Sequence, residues 1–181
     1  AVTGDTKWDS PENEIVIAAG PIGGITQYPG TGKSIAVAIS PLTDTVVDSN
    51  VGGYFGPLLK FAGFDAIEVQ GIAEEEVIVF VDGNAGTVQI IEAPEESVNS
   101  HLVAEEMVAL FAAKPQERQG VTSVSAGVGA EHARMGCLNF SFYDPRRQVA
   151  RLKQAGRGGI GTVLRRKKIK ALVVKYVGLK G

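Results

Sequence analysis

The sequence predicts an α+β fold rather than a doubly wound α/β fold. Short apolar runs rich in β-branched residues recur along the chain, whereas one long segment carries apolar residues at helical spacing. These predicted strands do not alternate regularly with helices, as the strands of a doubly wound sheet would. A length of 181 residues is typical of one domain, and it allows a buried core without disulfide bonds.

Seven strands, one hairpin loop and three helical segments are predicted from these patterns. The predicted strands are 14–19, 34–40, 65–70, 76–81, 87–92, 121–126 and 169–176. The loop 82–86 joins two of them as a hairpin. The strongest helix pattern is 100–113, with Asn99 or Ser100 as its N-cap. A short helical turn is predicted at 57–64, and a further helix at 146–155 that ends at Gly156.

Composition argues against several classes of protein. The 18 Lys and Arg residues nearly balance the 20 Asp and Glu residues, so the charge indicates no nucleic-acid partner and no membrane surface. No apolar run reaches the roughly 20 residues of a membrane span. Cys137 is the one cysteine, which excludes a disulfide within the chain and favours a cytoplasmic location. The chain has no initiator Met, and we expect one domain, 1–181, that belongs to a larger protein.

The first of three glycine-rich clusters covers residues 20–34 and ends in Gly-Lys-Ser. A P-loop needs a glycine five residues before its Gly-Lys pair, and Gln27 occupies that position. A β-rich run follows this cluster, whereas a helix follows a P-loop. Both tests argue against nucleotide hydrolysis, and the cluster on its own predicts a glycine-rich turn between two strands.

The second cluster covers residues 48–57, with Gly52 and Gly53 at its centre. Two adjacent glycines expose backbone N–H and C=O groups to a ligand. Asn50 tolerates left-handed conformations and can hold a loop through its side chain. The residues alone leave two interpretations open, a ligand-binding loop and an ordinary turn before a helix.

The third cluster covers residues 155–161, where Gly156, Gly158 and Gly161 match the dinucleotide pattern G-x-G-x-x-G. No strand is predicted before it, and no acidic residue stands about twenty residues later, so a Rossmann fold is rejected. A glycine-rich turn before a helix still offers free N–H groups to an anion. Three basic side chains would add charge that suits a phosphate-bearing cofactor: Arg151, Lys153 and Arg157.

In this order, the three clusters resemble the aldehyde ferredoxin oxidoreductase family. Residues 49–65, SNVGGYFGPLLKFAGFD, are similar to the family's stretch SNSGGYFGPxLKFAGYD. Residues 155–161, AGRGGIG, and 168–174, KIKALVV, are similar to the family's AGRGGVG and KxLKAIVV, and the opening NEIVIAAGP at 13–21 also fits. The resemblance covers almost the whole chain.

The resemblance implies a β-rich base of two twisted sheets beneath two pterin dithiolenes that chelate one tungsten atom. Mg²⁺, which prefers oxygen ligands, would link the two pterin phosphates through the backbone carbonyls of Asn50 and Gln154. Lys33 and Lys153 stand where the family often has Arg, so they would offer a point charge in place of a bidentate fork. Pterin or phosphate would also be contacted by Gly52, Gly156 and Arg157.

The same resemblance implies the oxidation of an aldehyde to a carboxylate, with ferredoxin as electron partner. The cofactor carries the redox chemistry, and the protein supplies position and electrostatics. The family's 4Fe–4S cluster and its acid/base residues come from positions downstream of this domain. We therefore expect this segment to be inactive alone and to act with the remainder of the enzyme or with other subunits.

Two alternatives stay open at this point. The segment 139–147, with Lys153 and Gln154 before the glycines, resembles the tungsten subunit of class II benzoyl-CoA reductases, which reduces an aromatic ring to a cyclic dienoyl-CoA. The missing cysteines would also fit a non-catalytic binding module that kept the fold.

Overall fold

The structure, a computed structural model, describes residues 2–95 and 98–178, so residues 1 and 179–181 of the predicted domain lie outside the described residues. The strands are β1 Ile15–Ala19, β2 Ser34–Ile39, β3 Val46–Val51, β4 Ala66–Val69, β5 Val77–Asp82, β6 Thr87–Glu92, β7 Val121–Ser125, β8 Leu138–Asp144, β9 Val149–Ala155 and β10 Ile169–Lys175. The helices are α1 Phe55–Phe61, α2 Ser100–Phe111 and α3 Ile160–Arg166, with short 3₁₀ helices at Pro115–Gly120 and Val128–His132.

The described residues form two sheets, which confirms the α+β prediction and the two-sheet base that the resemblance implied. One sheet has four antiparallel strands in the order β3-β2-β1-β4. The other has six strands in the order β6-β5-β10-β7-β8-β9. Its strands pair antiparallel except β10 with β5, which are parallel. Consequently β3 and β9 each lie at the edge of a sheet.

The six-stranded sheet is covered on both faces. Its inner face packs against the four-stranded sheet, α1 and α3, through buried residues such as Ile17, Phe55 and Leu172. Its outer face packs against α2 through Met107 and Val173. This explains why β10 is buried along nearly its whole length and reads as a continuous apolar run.

The seven predicted strands and the long helix are all present, with ends that differ by at most one or two residues. Asn99 caps α2, because its side chain accepts hydrogen bonds from the N–H groups of His101 and Leu102. The hairpin loop 82–86 is held by Asp82, whose carboxylate accepts from two backbone N–H groups. The helical turn predicted at 57–64 is α1, which begins and ends earlier than predicted.

The helix predicted at 146–155 is wrong. This segment forms a turn followed by β9, which pairs with β8 along its whole length. Its burial alternates at first, with Ala150 buried between exposed Val149 and Arg151, as in a strand with one face against the protein. Arg, Lys, Gln and Ala have good helix propensity, but pairing with a neighbouring strand overrides it.

Strands β3 and β8 were not predicted. Residues 48–57 were interpreted as a turn or loop, yet β3 includes Asp48, Ser49 and Asn50, residue types that are depleted in strands. β3 forms because it pairs with β2 in continuous register from Val46 to Val51. The two strands form a hairpin around the loop 40–45, and the polar residues of β3 give no apolar alternation that would have predicted it.

Candidate functional site

The first and second glycine clusters pack against each other. A Cβ atom added to Gly32 would lie 2.7 Å from the carbonyl oxygen of Gly53, and one added to Gly56 would lie 2.6 Å from the Oγ of Ser34. Gly24 has a φ of 81° and leaves no room for a side chain beside the ring of Phe61. These glycines allow two backbone segments, 24–34 and 53–56, to approach closely.

The third cluster contacts the second cluster from the other side. The N–H of Arg157 donates to the Oγ of Ser49 at 3.1 Å, across 108 positions of sequence. Gly158 has a φ of 80°, and the side chain of Val47 fills the space in which its Cβ would lie. The structure therefore brings all three clusters together, with the second cluster between the other two.

The junction between the second and third clusters consists of two sheet edges. β3 pairs only with β2 and β9 only with β8 within residues 2–95 and 98–178, so each strand has a free edge. A free edge presents backbone N–H and C=O groups that lack a strand partner. Asn50, on β3, and Gln154, on β9, are both exposed. The two residues predicted to offer carbonyl oxygens thus lie on adjoining edges.

Alternation along β9 separates the roles of its neighbouring residues. Lys153 is paired with Phe140 and faces the second cluster, with its Cγ 3.8 Å from the position of a Cβ on Gly53. The side chain of Gln154 points to the opposite face of the sheet, because adjacent strand residues alternate. A contact from Gln154 to a ligand on the inner side would therefore come from its backbone, as the resemblance implies.

Gly52 and Gly156 differ from most other glycines of the clusters. A Cβ atom on either would meet no atom within 4 Å in the part of the chain that the structure describes, and neither has a positive φ. The same holds for Gly20 at the start of the first cluster. Gly158 and Gly161, in contrast, are required because the protein itself fills the space. The chain leaves room for another molecule at Gly52 and Gly156.

The predicted cations Lys33, Lys153 and Arg157 are all exposed, and they differ in their partners. Among the described residues, no carboxylate lies within ion-pairing distance of Lys33 or Lys153. Arg157 forms an ion pair with Asp48, with 3.1 Å between Nη2 and Oδ2. Arg151, the other basic residue considered for the third cluster, forms an ion pair with Asp144 and lies over the ring of Phe142.

Two residues of the site were missed by the sequence analysis. Asp48 and Ser49 lie within the second cluster but had no predicted role, and both bind Arg157. A signal was available, because both residues directly precede Asn50. Strand neighbours of a ligand-binding residue help to form the same edge of the sheet.

A cavity of about 430 Å³ borders the first two clusters. It is lined mainly by apolar atoms, and it lies between α1, the loop 24–32 and residues 176–178. Gly32, Gly53, Tyr54 and Phe61 form part of its wall, whereas the third cluster does not. The candidate site described above is therefore an open junction of two edges, adjacent to this cavity.

The structure supports the rejection of both nucleotide motifs. β2 directly follows the first cluster, where a P-loop would have a helix. The expectation that no strand precedes the third cluster was wrong, since β9 does. However, β9 pairs antiparallel with β8 and is not adjacent to β10, so β9, α3 and β10 do not form the parallel βαβ unit of a dinucleotide site.

Within residues 2–95 and 98–178, no helix is long and apolar enough to cross a membrane. No group of three or more His, Cys, Asp or Glu side chains there is arranged to hold a metal ion.

The chain is similar to several known tungsten enzymes. It is 36% identical over 177 residues to the tungsten-containing aldehyde ferredoxin oxidoreductase of Pyrococcus horikoshii, covering 94% of this chain and 26% of that protein. It is 32% identical over 170 residues to the enzyme of the same name from Pyrococcus furiosus, covering 92% and 25%. The chain thus spans about a quarter of the length of these relatives.

A solved structure has the same fold. It is the active-site complex BamBC of benzoyl-coenzyme A reductase with 1,5-dienoyl-CoA, matched with a TM-score of 0.76 and 26% identity over 94% of this chain and 24% of that chain. Residues 1–176 match the profile of the aldehyde ferredoxin oxidoreductase N-terminal domain. The chain therefore belongs to the aldehyde ferredoxin oxidoreductase family, a family of tungsten oxidoreductases, and corresponds to its N-terminal domain.

Proposed function

We propose that residues 1–181 are the cofactor-binding domain of a larger tungsten bis-pterin oxidoreductase. The observation that carries this proposal is the pair Gly52 and Gly156. Both lie at the junction of the two sheet edges, and neither packing among the described residues nor backbone conformation requires a glycine there. Glycine at such positions allows a ligand to approach the backbone closely.

The donors at the junction fit the proposed cofactor. Two pterin phosphates carry negative charge that Arg157, Lys33 and Lys153 would offset. Mg²⁺ between the phosphates would bind oxygen atoms, which the backbone carbonyls of Asn50 and Gln154 supply. The dithiolene sulfurs of the cofactor would hold tungsten, so this domain would need no cysteine ligand for it. When bound, the cofactor supplies two-electron redox chemistry at the metal.

The proposed activity of the whole protein is the oxidation of an aldehyde and water to a carboxylate, with two electrons passed through a 4Fe–4S cluster to ferredoxin. Four relatives that are named tungsten-containing aldehyde ferredoxin oxidoreductases support this proposal. In this scheme the domain orients the cofactor, while the iron–sulfur ligands and the acid/base residues come from the remainder of the enzyme. We place the protein in the cytoplasm.

The solved structure favours one second candidate. The matched chain is part of a benzoyl-CoA reductase complex. The alternative is therefore that this protein is the tungsten subunit of an enzyme that reduces the benzoyl ring to a cyclic dienoyl-CoA. In that case the electron partner would be another iron–sulfur subunit.

Elemental analysis of the full-length protein, produced without oxygen in medium containing tungstate, tests the cofactor proposal. We expect one tungsten, at least two phosphorus atoms and magnesium per protein. A full-length protein that contains iron but neither tungsten nor molybdenum would contradict the proposal. Assays with aldehyde plus oxidised ferredoxin, and with dienoyl-CoA plus an electron acceptor, then distinguish the two reactions. A loaded protein that is inactive in both would indicate a non-catalytic binding module.

A further inference from the structure

Asp48 holds the side chain of Arg157 at two points. The Nε of Arg157 donates to the backbone oxygen of Asp48 at 3.1 Å, and its Nη2 donates to the carboxylate at 3.1 Å. The backbone N–H of Arg157 donates to the neighbouring Ser49. Two adjacent residues of one edge strand therefore fix both the backbone and the side chain of Arg157.

The geometry of the guanidinium group decides which donors remain. The N–H of Nε and one N–H of Nη2 lie along the same edge of the planar group, and Asp48 occupies this edge. The other edge, formed by Nη1 and the second N–H of Nη2, has no acceptor within hydrogen-bonding distance among the residues that the structure describes. The Arg157 side chain is 70% exposed, so this edge is accessible to solvent. It is the kind of edge that binds phosphate through two parallel hydrogen bonds.

The ion pair between Asp48 and Arg157 contributes little to folding stability. Both side chains are exposed, at 70% and 48%, and exposed ion pairs contribute little to folding. A carboxylate beside a phosphate site also repels the phosphate. A benefit to ligand binding can exceed this repulsion. The contact holds a long, rotamer-rich side chain in one orientation, so ligand binding then costs less conformational entropy.

We propose that Asp48 is a positioning residue for phosphate binding, which acts by orienting Arg157 so that its free edge faces the ligand. This inference rests on the proposed function, because the phosphate in question is that of the pterin cofactor. Asp48 itself does not contact the phosphate.

Asp48→Ala and Asp48→Asn in the full-length protein form a matched pair of variants. The Asn side chain keeps an oxygen that accepts from Nη2 and removes the negative charge, whereas Ala removes both. Tungsten and phosphorus remaining after timed gel filtration report cofactor retention. We expect Asp48→Ala to lose both elements about fivefold faster than the wild type, and Asp48→Asn to lose them at the wild-type rate or more slowly.

Two results would overturn the inference. Retention in Asp48→Ala equal to or better than wild type would show that Asp48 competes with the phosphate or is irrelevant to it. Equal losses in both variants would show that charge, and not orientation, matters. The unfolding temperature of the cofactor-free variants serves as the check on folding, and we expect it to stay within a degree or two of the wild type, since both side chains are exposed.

A double-variant cycle tests whether Asp48 acts through Arg157. In an Arg157→Ala background, Asp48→Ala should cause no further loss of cofactor. An additional loss of the same size as in the wild-type background would overturn the inference. Wild-type protein without tungsten and phosphorus would refute the proposed function itself, whereas a loaded wild type with an indistinguishable Asp48→Ala variant would refute only the role of Asp48.

Discussion

The segment from Gly156 to Lys168 contains two regions, 156–157 and 159–168, that are alike in sequence and different in structure. Both regions are rich in glycine and basic residues. In the first region, Gly156 borders open space and Arg157 exposes one edge of its guanidinium. In the second region, Gly159 and Gly161 are in contact with the backbone of Arg134 and Cys137, where any Cβ atom would overlap a carbonyl oxygen.

The basic residues of the second region are also used by the protein itself. Arg165, with 9% of its side chain exposed, pairs with Glu76 and Glu131. Lys167 is 2% exposed and donates to the backbone oxygens of Gly71 and Pro11, and burial lowers its pKa. A ligand has access to the first region, whereas the second region stabilises the fold.

Residue type alone therefore does not identify a phosphate site. A glycine or a cation indicates ligand binding when the chain offers no internal reason for it. Substitutions that separate folding stability from cofactor retention therefore test whether the two regions differ in this way.

Gly159→Ala should have the largest effect, and it should act on stability. Gly159 has a φ of 68°, and its Cβ would overlap the carbonyl oxygen of Arg134 and lie 2.8 Å from Pro41. Backbone strain and overpacking together should lower the free energy of unfolding by about 3 kcal/mol. Urea unfolding of the full-length protein measures this, with Gly156→Ala as the control that leaves stability unchanged. Equal stability of the two variants would remove the distinction between the two regions.

Arg157→Ala should have the next largest effect, and it should act on cofactor retention. Loss of charge-assisted phosphate bonds should weaken binding by about 2 kcal/mol, which corresponds to roughly 30-fold faster loss of tungsten and phosphorus. The control is Arg165→Ala, which removes the same charge from the second region. That control should lower the unfolding temperature and leave retention unchanged. Retention that falls equally in both would mean that total charge, rather than position, binds the cofactor.

Much of the fold could be predicted because its strands carry local signals. β1, β2 and β10 are short, apolar and β-branched, and α2 has both apolar periodicity and a capping residue, Asn99. β9 and β3 could not be recognised, because their polar residues lack the apolar alternation of a strand and form strands only by pairing with the neighbouring strands β8 and β2. Edge strands are exposed on one side, so they tolerate residues such as Asp48 and Lys153 that weaken the pattern.

The candidate site shows the same limit. Gly52, Gly156 and Arg157 were predicted from the glycine clusters and the family resemblance, and the structure brings these clusters together. The contacts of Arg157 with Asp48 and Ser49 span more than 100 positions, and no periodicity or spacing encodes such a contact. The alternation of side chains along β9 was also not predicted, because the segment was predicted to be a helix.

Gly156→Ala should reduce cofactor retention without affecting stability. A methyl group there meets no described atom of the protein within 4 Å, so folding should be unaffected. If a phosphate or pterin approaches the backbone at Gly156, the methyl group should cost about 1 kcal/mol, the net value of one hydrogen bond. The control is Gly30→Ala, in an open part of the first cluster that has no assigned contact, although its φ of 87° adds strain to the folded state. Unchanged retention in Gly156→Ala would show that no ligand approaches this backbone.

Lys153→Arg should have the smallest effect, and it should increase retention. Lys153 is exposed and faces the second cluster beside Gly53. A guanidinium can form two parallel bonds to a phosphate where an ammonium forms one, which should strengthen binding by about 0.5 kcal/mol. Lys153→Met, which keeps the aliphatic stem, should shift retention in the opposite direction. If Arg fails to improve retention while Met reduces it, the lysine contributes charge at a distance and the predicted direct contact is wrong. If neither substitution changes retention, Lys153 resembles the basic residues of the second region, because the cofactor does not use its charge.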